Sequence, residues 1–249
     1  MKLLKTTLFI LILAPTLAFP AMAESAEKIL EAAENIRHPN ADYRVTVILE
    51  SSQIKSGKTK TNVKEFETLI KGKDKALVKY TKPVSDLGKQ VLMVESDMWI
   101  FMPRSAKPIR VSPKQKVSGN AAYGDIARLN FVGNYTPKLI KTEKFEGQNA
   151  HFLSLTAIPG KAVTYSQIEY IVNAISNKPL KAIYKTKAGK PLREGYFEDY
   201  LNVFGVSRPT SMRMLDLIRK GNTTVIKFVN ATKTKLPNLL FKKQNMGRG

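Results

Sequence analysis

The chain offers few side chains that could carry out acid–base, nucleophilic or metal chemistry. It has two histidines, His38 and His151, which are too few for a histidine-based cluster, and it has no cysteine. These counts exclude disulfides, thiolate metal sites, a cysteine nucleophile and a lipid-modified cysteine. His151 precedes the apolar run that starts at Phe152, and this setting indicates a structural histidine.

The best candidates for general acid–base work are the carboxylates Glu194, Glu198 and Asp199. In a strand, Glu194 and Glu198 would share a face while Asp199 would point to the other side. A solvated strand face is the plainer interpretation, because charged side chains are mostly exposed. The chain contains no G-x-S-x-G motif, no phosphate-binding glycine loop and no calcium-binding spacing. The sequence therefore predicts a protein that is not an enzyme, with no catalytic residue, metal site or cofactor.

The first 23 residues have the pattern of a secretory signal peptide. Lys2 and Lys5 precede an apolar run, and Ala21-Met22-Ala23 has the small-x-small pattern of a cleavage site. We expect cleavage after Ala23, which leaves residues 24–249 as a single exported domain. The alternative is an uncleaved anchor, but the apolar run is short for a span of about 20 residues.

The charge balance is strongly basic, with 41 Lys and Arg against 20 Asp and Glu and a net charge of +21. Loss of the signal peptide would remove two lysines and leave +19. Such an excess often indicates a protein that binds nucleic acid. Here the basic residues are scattered along the chain, and an exported protein does not encounter nucleic acid. We therefore expect an anionic membrane surface or an acidic protein as partner, and no nucleic acid. A surface kept soluble by its charge is the alternative.

One amphipathic helix is predicted over residues 25–37, with Ser25 as its cap and Pro39 as its stop. After it, side chains alternate between apolar and polar, and turn signals separate β-like runs. Thirteen runs are predicted, near residues 42–52, 59–71, 75–82, 89–95, 98–102, 109–112, 136–145, 151–158, 165–173, 180–187, 191–204, 210–218 and 223–230. Their hairpin-length connections predict a meandering antiparallel sheet.

Two segments depart from this pattern. Residues 91–102 form a hairpin that is apolar on both faces, so we expect one face to pack on the helix and the other to line a cavity. A filled core is the alternative. Residues 103–131 contain three prolines within eleven residues, and Asp125 could begin a short helix. We expect this segment to cover a mouth of the sheet or, alternatively, to form a long surface loop.

Several short motifs follow one another along residues 24–249. They are Met98-Trp99-Ile100-Phe101-Met102-Pro103, Pro108-Ile109-Arg110-Val111-Ser112-Pro113, Gly124-Asp125-Ile126-Ala127-Arg128-Leu129-Asn130-Phe131, Lys178-Pro179-Leu180, Ala188-Gly189-Lys190, Arg208-Pro209-Thr210 and Leu236-Pro237-Asn238-Leu239-Leu240-Phe241. In order and spacing they resemble the outer-membrane lipoprotein-sorting proteins, relatives of the periplasmic lipoprotein carrier LolA. The resemblance implies a mainly β (α+β) fold, an unclosed antiparallel β-barrel of about eleven strands whose concave face is plugged by helices.

The resemblance also implies a function. Proteins of this family carry lipids or lipoprotein acyl chains across the periplasm, and several act with an inner-membrane transporter. Others bind a membrane protein's periplasmic domain and sense the state of the envelope, which is the alternative function. A hydrolase acting on envelope lipid is a third possibility, and it lacks a catalytic group. Lys75 is the nearest counterpart of the family's inward basic residue.

We expect the acyl chain to be held by an apolar lining. Burial contributes about 0.8 kcal/mol per CH₂, so a fourteen-carbon chain gains on the order of 11 kcal/mol before ordering costs, whereas a surface ion pair contributes about 0–1 kcal/mol. The helix at 25–37 and the segment 114–131 are the predicted lid. The predicted lining residues are Val47, Leu49, Phe66, Tyr80, Met93, Trp99, Phe101, Ile168, Tyr170, Met212 and Met214.

Overall fold

The computed structural model describes residues 25–95, 97–105, 107–127 and 130–248. The predicted signal peptide and its cleavage site lie outside the described residues. Most of the described chain is strand, as the sequence predicts, and thirteen of the strands form one antiparallel sheet that does not close on itself.

The strands follow one another mostly as hairpins. In chain order they are β1 (Tyr43–Lys55), β2 (Lys58–Lys71), β3 (Lys75–Lys82), β4 (Gln90–Val94), β5 (Asp97–Phe101), β6 (Ile109–Val111), β7 (Lys116–Ser118), β8 (Ala121–Ala122), β9 (Tyr135–Phe145), β10 (Gln148–Ala157), β11 (Gln167–Asn173), β12 (Pro179–Lys185), β13 (Pro191–Val203), β14 (Val206–Asp216) and β15 (Thr223–Lys233). The order across the main sheet is β6-β5-β4-β3-β2-β1-β15-β14-β13-β12-β11-β10-β9, and β7 and β8 form a separate two-stranded ribbon.

The thirteen strands of the main sheet coincide with the thirteen runs predicted from the sequence. The count of about eleven that the family resemblance implies is two too low. Strand β1 pairs with both β2 and β15, so it joins the N-terminal and C-terminal halves of the sheet. Strands β6 and β9 are the two edges. The ribbon of β7 and β8 was not predicted, because its strands of three and two residues lie in a segment without alternating apolar and polar residues.

The predicted helix is present as α1 (Ala26–Arg37). The Ser25 hydroxyl accepts a hydrogen bond from the backbone N–H of Lys28 at 3.3 Å, which confirms it as the N-cap. The helix buries its apolar side against strands β9, β12 and β14. We call the face of the sheet that carries α1 the inner face. The main apolar core lies on this face and draws residues from both halves of the sheet.

The outer face carries a second apolar cluster, which consists of Leu69, Leu77, Leu92, Leu236, Phe241 and Met246. The last three belong to the C-terminal segment, residues 236–246, which covers strands β3 and β4 with two short 3-10 turns. The hairpin of β4 and β5 is therefore apolar on both faces because it lies between this segment and the main core. The expectation that its second face lines a cavity is wrong.

The proline-rich region crosses the inner face. We call residues 113–127 the strap; it contains β7, β8 and a helix of one turn, α2 (Tyr123–Ile126), which begins two residues before the predicted start. Ser118 Oγ lies 2.8 Å from Ser51 Oγ on β1. Gly119 has φ +51°, and a Cβ placed on it would lie 2.4 Å from the Cβ of Ser51, so only glycine fits here. The strap is thus seated directly against the sheet.

Candidate functional site

A small cavity lies between α1, the strap and the C-terminal half of the sheet. Its volume is about 30 Å³, which is room for one or two water molecules. Ligand pockets of proteins occupy about 300–1,000 Å³, so the cavity as it stands is roughly tenfold too small for an acyl chain. Apolar and polar side chains line it, among them Arg37, Asp125, Phe131, Tyr135, Tyr165, Tyr184, Phe197, Met212 and Phe228.

A buried ion pair on α1 holds the helix in place. Glu34 is 2% exposed and accepts hydrogen bonds from Arg37 Nε at 2.7 Å and Nη2 at 2.5 Å. The same carboxylate accepts the backbone N–H of Phe131 at 2.8 Å and the Tyr170 hydroxyl at 3.4 Å. One side chain therefore links α1 to strand β11 and to the region that follows the strap.

The Arg37 guanidinium lies beside the cavity, 4.1 Å from the centre of the Phe131 ring. Burial opposes its charged form, but Glu34 outweighs this effect and keeps the pKa of Arg37 above its usual value. The arginine is therefore charged at any physiological pH. Its position gives the cavity a fixed positive charge next to an aromatic wall.

A second carboxylate, which is half-buried, holds α2. Asp125 accepts the backbone N–H of Ala122 at 2.8 Å and the Tyr165 hydroxyl at 2.9 Å. Arg193 donates to the same hydroxyl at 3.3 Å. Burial raises the pKa of the Asp125 carboxyl above its usual value, although Arg193 and the two hydrogen bonds act in the opposite direction. The strap is thus attached to the sheet through a desolvated acidic group.

The end of α1 is held by an arginine from strand β14. Arg208 Nη1 donates to the backbone oxygens of Asn35 and Ile36, the latter at 2.8 Å, and its Nε donates to Val203 O at 3.1 Å. A cation at this position also interacts favourably with the negative end of the helix dipole. Helix α1 and the strap, which together cover the inner face, are therefore joined to the sheet through polar contacts that lie beside the apolar packing.

Nine of the eleven predicted lining residues belong to the main core on the inner face: Val47, Leu49, Phe66, Tyr80, Met93, Ile168, Tyr170, Met212 and Met214. Met212 also borders the cavity. Trp99 and Phe101 instead pack against the outer cluster, because Met98 and Ile100 take the inward positions of β5. Placing these two on the inner face was an error of one residue in strand phase.

The inward basic residue is also not where it was expected. Ala76 belongs to the inner core and Leu77 to the outer cluster, so strand alternation puts Lys75 on the outer face with Leu77. The structure places Arg37 and Arg193 beside the inner aromatic residues instead. For Arg37 and Glu34 a signal exists in the sequence: with Leu30 they follow the i, i+4, i+7 spacing of the helix's apolar side.

The carboxylate cluster is an ion-paired surface, in agreement with the plainer interpretation. Lys181 Nζ lies 2.9 Å from Glu194, and Arg213 Nη2 lies 2.5 Å from Glu198. Asp199 is exposed and has φ +53°, and its backbone oxygen accepts a hydrogen bond from the Thr210 hydroxyl at 2.6 Å. Both glutamates are thus engaged by neighbouring cations.

The remaining candidate groups have structural surroundings. His151 Nδ1 lies 2.8 Å from Thr142 Oγ1 of the adjacent strand β9. Over the residues that the structure describes, no group of three or more His, Asp or Glu side chains is placed to hold a metal ion. Neither of the described helices is long and apolar enough to serve as a membrane span.

The comparisons with known proteins agree with this architecture. A LolA superfamily protein from Nitrosomonas europaea is 33% identical to the chain, covers 89% of it and 99% of its own length, and superimposes with a TM-score of 0.83. The chain therefore belongs to the LolA superfamily. A family model described as "Uncharacterized protein" matches residues 72–248. No curated protein matches the chain.

Two further solved structures share the fold. A putative outer membrane lipoprotein-sorting protein domain from Vibrio parahaemolyticus is 20% identical, with a TM-score of 0.74, and the match covers 90% of this chain and 98% of that one. A DUF1329 family protein from Desulfovibrio piger is 21% identical, with a TM-score of 0.73 and coverage of 90% and 100%. The unclosed barrel that the motifs imply is thereby confirmed.

Proposed function

We propose that the protein is a periplasmic, non-enzymatic carrier that binds a lipid or the acyl chains of a lipoprotein on the inner face of its sheet. The observation that supports this most is the composition of that face, a continuous apolar surface covered by two elements that are not part of the sheet. The covering elements, α1 and the strap, are attached through polar contacts. Such contacts can be exchanged for water when the cover moves.

The size of the cavity determines how loading must occur. Because it holds only about 30 Å³, an acyl chain can enter only if part of the cover moves away. The acyl chain would then take the place of the apolar side chains of the cover. Each of its CH₂ groups contributes about 0.8 kcal/mol of binding free energy when it is buried. The lining proposed for the loaded state consists of the nine inner residues, with Arg37 beside an anionic head group.

The partners follow from the same proposal. The predicted signal peptide places the mature chain in the periplasm, where it would take lipid or lipoprotein from one membrane partner, such as an inner-membrane transporter, and deliver it to another. The net charge of +19 that remains after loss of the signal peptide favours encounters with anionic lipid surfaces. Catalysis has no part in this cycle.

A reversible lock on the strap tests the proposal, and the chain suits it because it contains no cysteine. The hydroxyls of Ser51 and Ser118 lie 2.8 Å apart, so Ser51→Cys with Ser118→Cys places two thiols within bonding reach. The control is Ser52→Cys with Thr61→Cys, whose hydroxyls lie 3.1 Å apart within the β1–β2 hairpin. It adds a disulfide and leaves the strap free.

Uptake of a fluorescent acyl probe from vesicles is measured before and after reduction, together with native mass spectrometry of the purified proteins. The oxidised strap lock should take up probe at least tenfold more slowly than its reduced form, and the control pair should show no redox effect. Equal uptake by the oxidised and reduced lock would refute movement of the strap.

One observation favours a second candidate, a module that binds a membrane protein's periplasmic domain. The inner face is filled by the protein's own side chains, so the fold is complete without lipid. If native mass spectrometry finds the purified protein empty, and it retains one membrane protein regardless of the redox state of the lock, this candidate replaces the carrier.

A further inference from the structure

The loop between β3 and β4 displays two aliphatic side chains to solvent. Val84 is 80% exposed and Leu87 is 49% exposed. Between them Asp86 points inward, where Lys64 and Lys89 donate to its carboxylate, the latter at 2.6 Å. The loop is therefore anchored by an ion-paired carboxylate, and its aliphatic side chains are held outward.

The loop between β5 and β6 lies against this first loop. A Cβ placed on Gly88 would meet the ring of Pro103 at 2.8 Å. The second loop adds two more exposed apolar residues, Met102 at 42% and Ile109 at 56% exposure. We call residues 82–89 and 102–110 together the docking loops.

The surroundings of these aliphatic residues are strongly basic. The docking loops and the six residues that follow them, 111–116, contain seven Lys and Arg and a single acidic residue, Asp86. That carboxylate is already paired with Lys64 and Lys89. Lys82 pairs with Glu65 at 2.8 Å, and Arg110 pairs with Asp97. Arg104, Lys107, Lys114 and Lys116 are exposed, so the patch combines projecting aliphatic side chains with an excess of positive charge.

A turn at the same end of the sheet repeats the combination. Between β14 and β15, Ile218 is 59% exposed and is followed by the exposed Arg219 and Lys220. The register of β1 with β2 and β15 places this turn and the docking loops at one end, and the turn between β11 and β12 at the other. One end of the barrel therefore carries the pattern in three loops.

We propose that the docking loops bind the surface of an anionic phospholipid bilayer, with Val84, Leu87 and Met102 in the head-group region and the basic residues on the lipid phosphates. This rests on the proposed function, because it names the surface through which the carrier meets a membrane. Aliphatic side chains flanked by Lys and Arg suit the boundary between head groups and acyl chains. Protein interfaces are instead enriched in aromatic residues and depleted in lysine, and the docking loops contain several lysines and no aromatic residue.

The docking loops are also close to the cover of the inner face. Strand β6 leads directly into the strap, and the Gly124 backbone N–H of α2 donates to Pro113 O at 3.1 Å. The Tyr123 and Tyr80 hydroxyls interact next to the anchored Asp86. A bilayer bound at the docking loops would therefore lie beside the strap, the element that must move for loading.

The test is co-sedimentation of the full mature chain with vesicles of equal parts phosphatidylglycerol and phosphatidylcholine, and with pure phosphatidylcholine as reference. Wild type should bind the anionic vesicles and release them as salt is raised. Val84→Asp with Leu87→Asp should weaken binding at least tenfold. The matched control is Ile175→Asp with Leu201→Asp, which changes two aliphatic residues of 84% and 59% exposure at the opposite end and should bind as wild type does.

Charge is tested separately. Arg104→Gln with Lys107→Gln should weaken binding about 25-fold, since each cation near an anionic surface contributes about fivefold in affinity. Lys138→Gln with Lys144→Gln removes the same charge from the exposed side of β9 and should change binding less than threefold. If both double substitutions weaken binding equally, the attraction to vesicles is set by net charge alone, and the docking loops are not the membrane-binding site.

Native mass spectrometry of the same variants separates this proposal from the proposed function. Variants that lose vesicle binding and still carry lipid support the docking loops. Wild-type protein that carries lipid and ignores anionic vesicles refutes the docking surface and leaves the carrier intact. Binding of both vesicle types without difference between variants also refutes the docking surface, and circular dichroism melting confirms that each variant is folded.

Discussion

Replacement of Glu34 by alanine tests how the cover is held. The substitution leaves the buried Arg37 guanidinium without this carboxylate and removes the acceptor for the Phe131 N–H. The helix itself should not suffer, because alanine has the highest helix propensity. Glu34 and Arg37 also form an i,i+3 pair within α1, which contributes only about 0.2–0.5 kcal/mol to the helix itself, so a larger loss of stability reports the attachment of α1.

The size of the effect follows from the burial of the pair. Glu34 is 2% exposed, and the Arg37 side chain is 12% exposed. Breaking such a pair by removing one partner costs about 3–5 kcal/mol. For a chain of this length each kcal/mol lowers the melting temperature by about 2–4 °C, so we expect a decrease of roughly 6–20 °C. The double variant Glu34→Leu with Arg37→Leu should recover most of the loss, because no buried charge is left behind.

The assay is thermal and urea unfolding of both variants, with Glu31→Ala as control because Glu31 is exposed on the same helix. The control should differ from wild type by less than about 0.5 kcal/mol. The reasoning is wrong if Glu34→Ala loses under 1 kcal/mol, or if the double variant is less stable than the single one. Faster uptake of the acyl probe by Glu34→Ala would further connect α1 to loading.

Three other outcomes follow from the structure. Gly119→Ala should destabilise the protein by about 1–3 kcal/mol in urea unfolding, because the new methyl group overlaps Ser51 and the backbone has positive φ. Burial raises the pKa of the Asp86 carboxyl, but Lys64 and Lys89 outweigh this effect and hold the pKa below its usual value. Its stabilisation is therefore present above the unfolded pKa of about 3.9 and is lost as pH falls through the folded pKa. Asp86→Asn should be less stable than wild type at pH 7, and urea unfolding at falling pH should show this difference shrinking as the carboxyl is protonated. Trp99→Ala should make the C-terminal segment sensitive to limited proteolysis without changing the amount of lipid that co-purifies. If less lipid co-purifies, Trp99 lines the lipid site after all.

The strands could be predicted because alternation marks them wherever one face is wet. In β1, Val45, Val47 and Leu49 face the core while the residues between them are more exposed. This two-residue period is the main sequence signal of a half-buried strand. The thirteen strands of the sheet were located correctly for this reason, and the family motifs then indicated how the sheet is arranged.

The face of β5 could not be predicted in the same way. Met98, Trp99, Ile100 and Phe101 are all apolar, so alternation gives no indication of which pair points inward. The deciding contact is with the segment 236–246, more than 130 residues later in the sequence. The apolar motif of that segment was recognised as a family feature, but its contact with β5 depends on tertiary structure.

The polar attachments of the cover depend equally on distant partners. Asp125 is placed by its hydrogen bond with Tyr165, which is 40 residues away in the sequence. A carboxylate within a short helical motif is usually read as an exposed cap. Its burial becomes evident only when the strap is laid across the sheet, so the sequence predicted the helix near Asp125 and missed its role.

These attachments bear directly on how a cover can be both stable and removable. Apolar side chains in place of the buried pair Glu34 and Arg37 would hold α1 at least as firmly, since buried ion pairs seldom exceed apolar packing in net stabilisation. A buried pair does have one property that packing lacks: its members regain strong hydration when the helix moves into water. The desolvation cost that raises the free energy of the closed state is relieved on opening, and the free energy needed to open the cover is smaller for that reason. A cover attached through Glu34, Asp125 and Arg208 is accordingly suited to leave the inner face as lipid replaces it, whereas a cover attached by apolar packing alone would have to expose that packing to solvent.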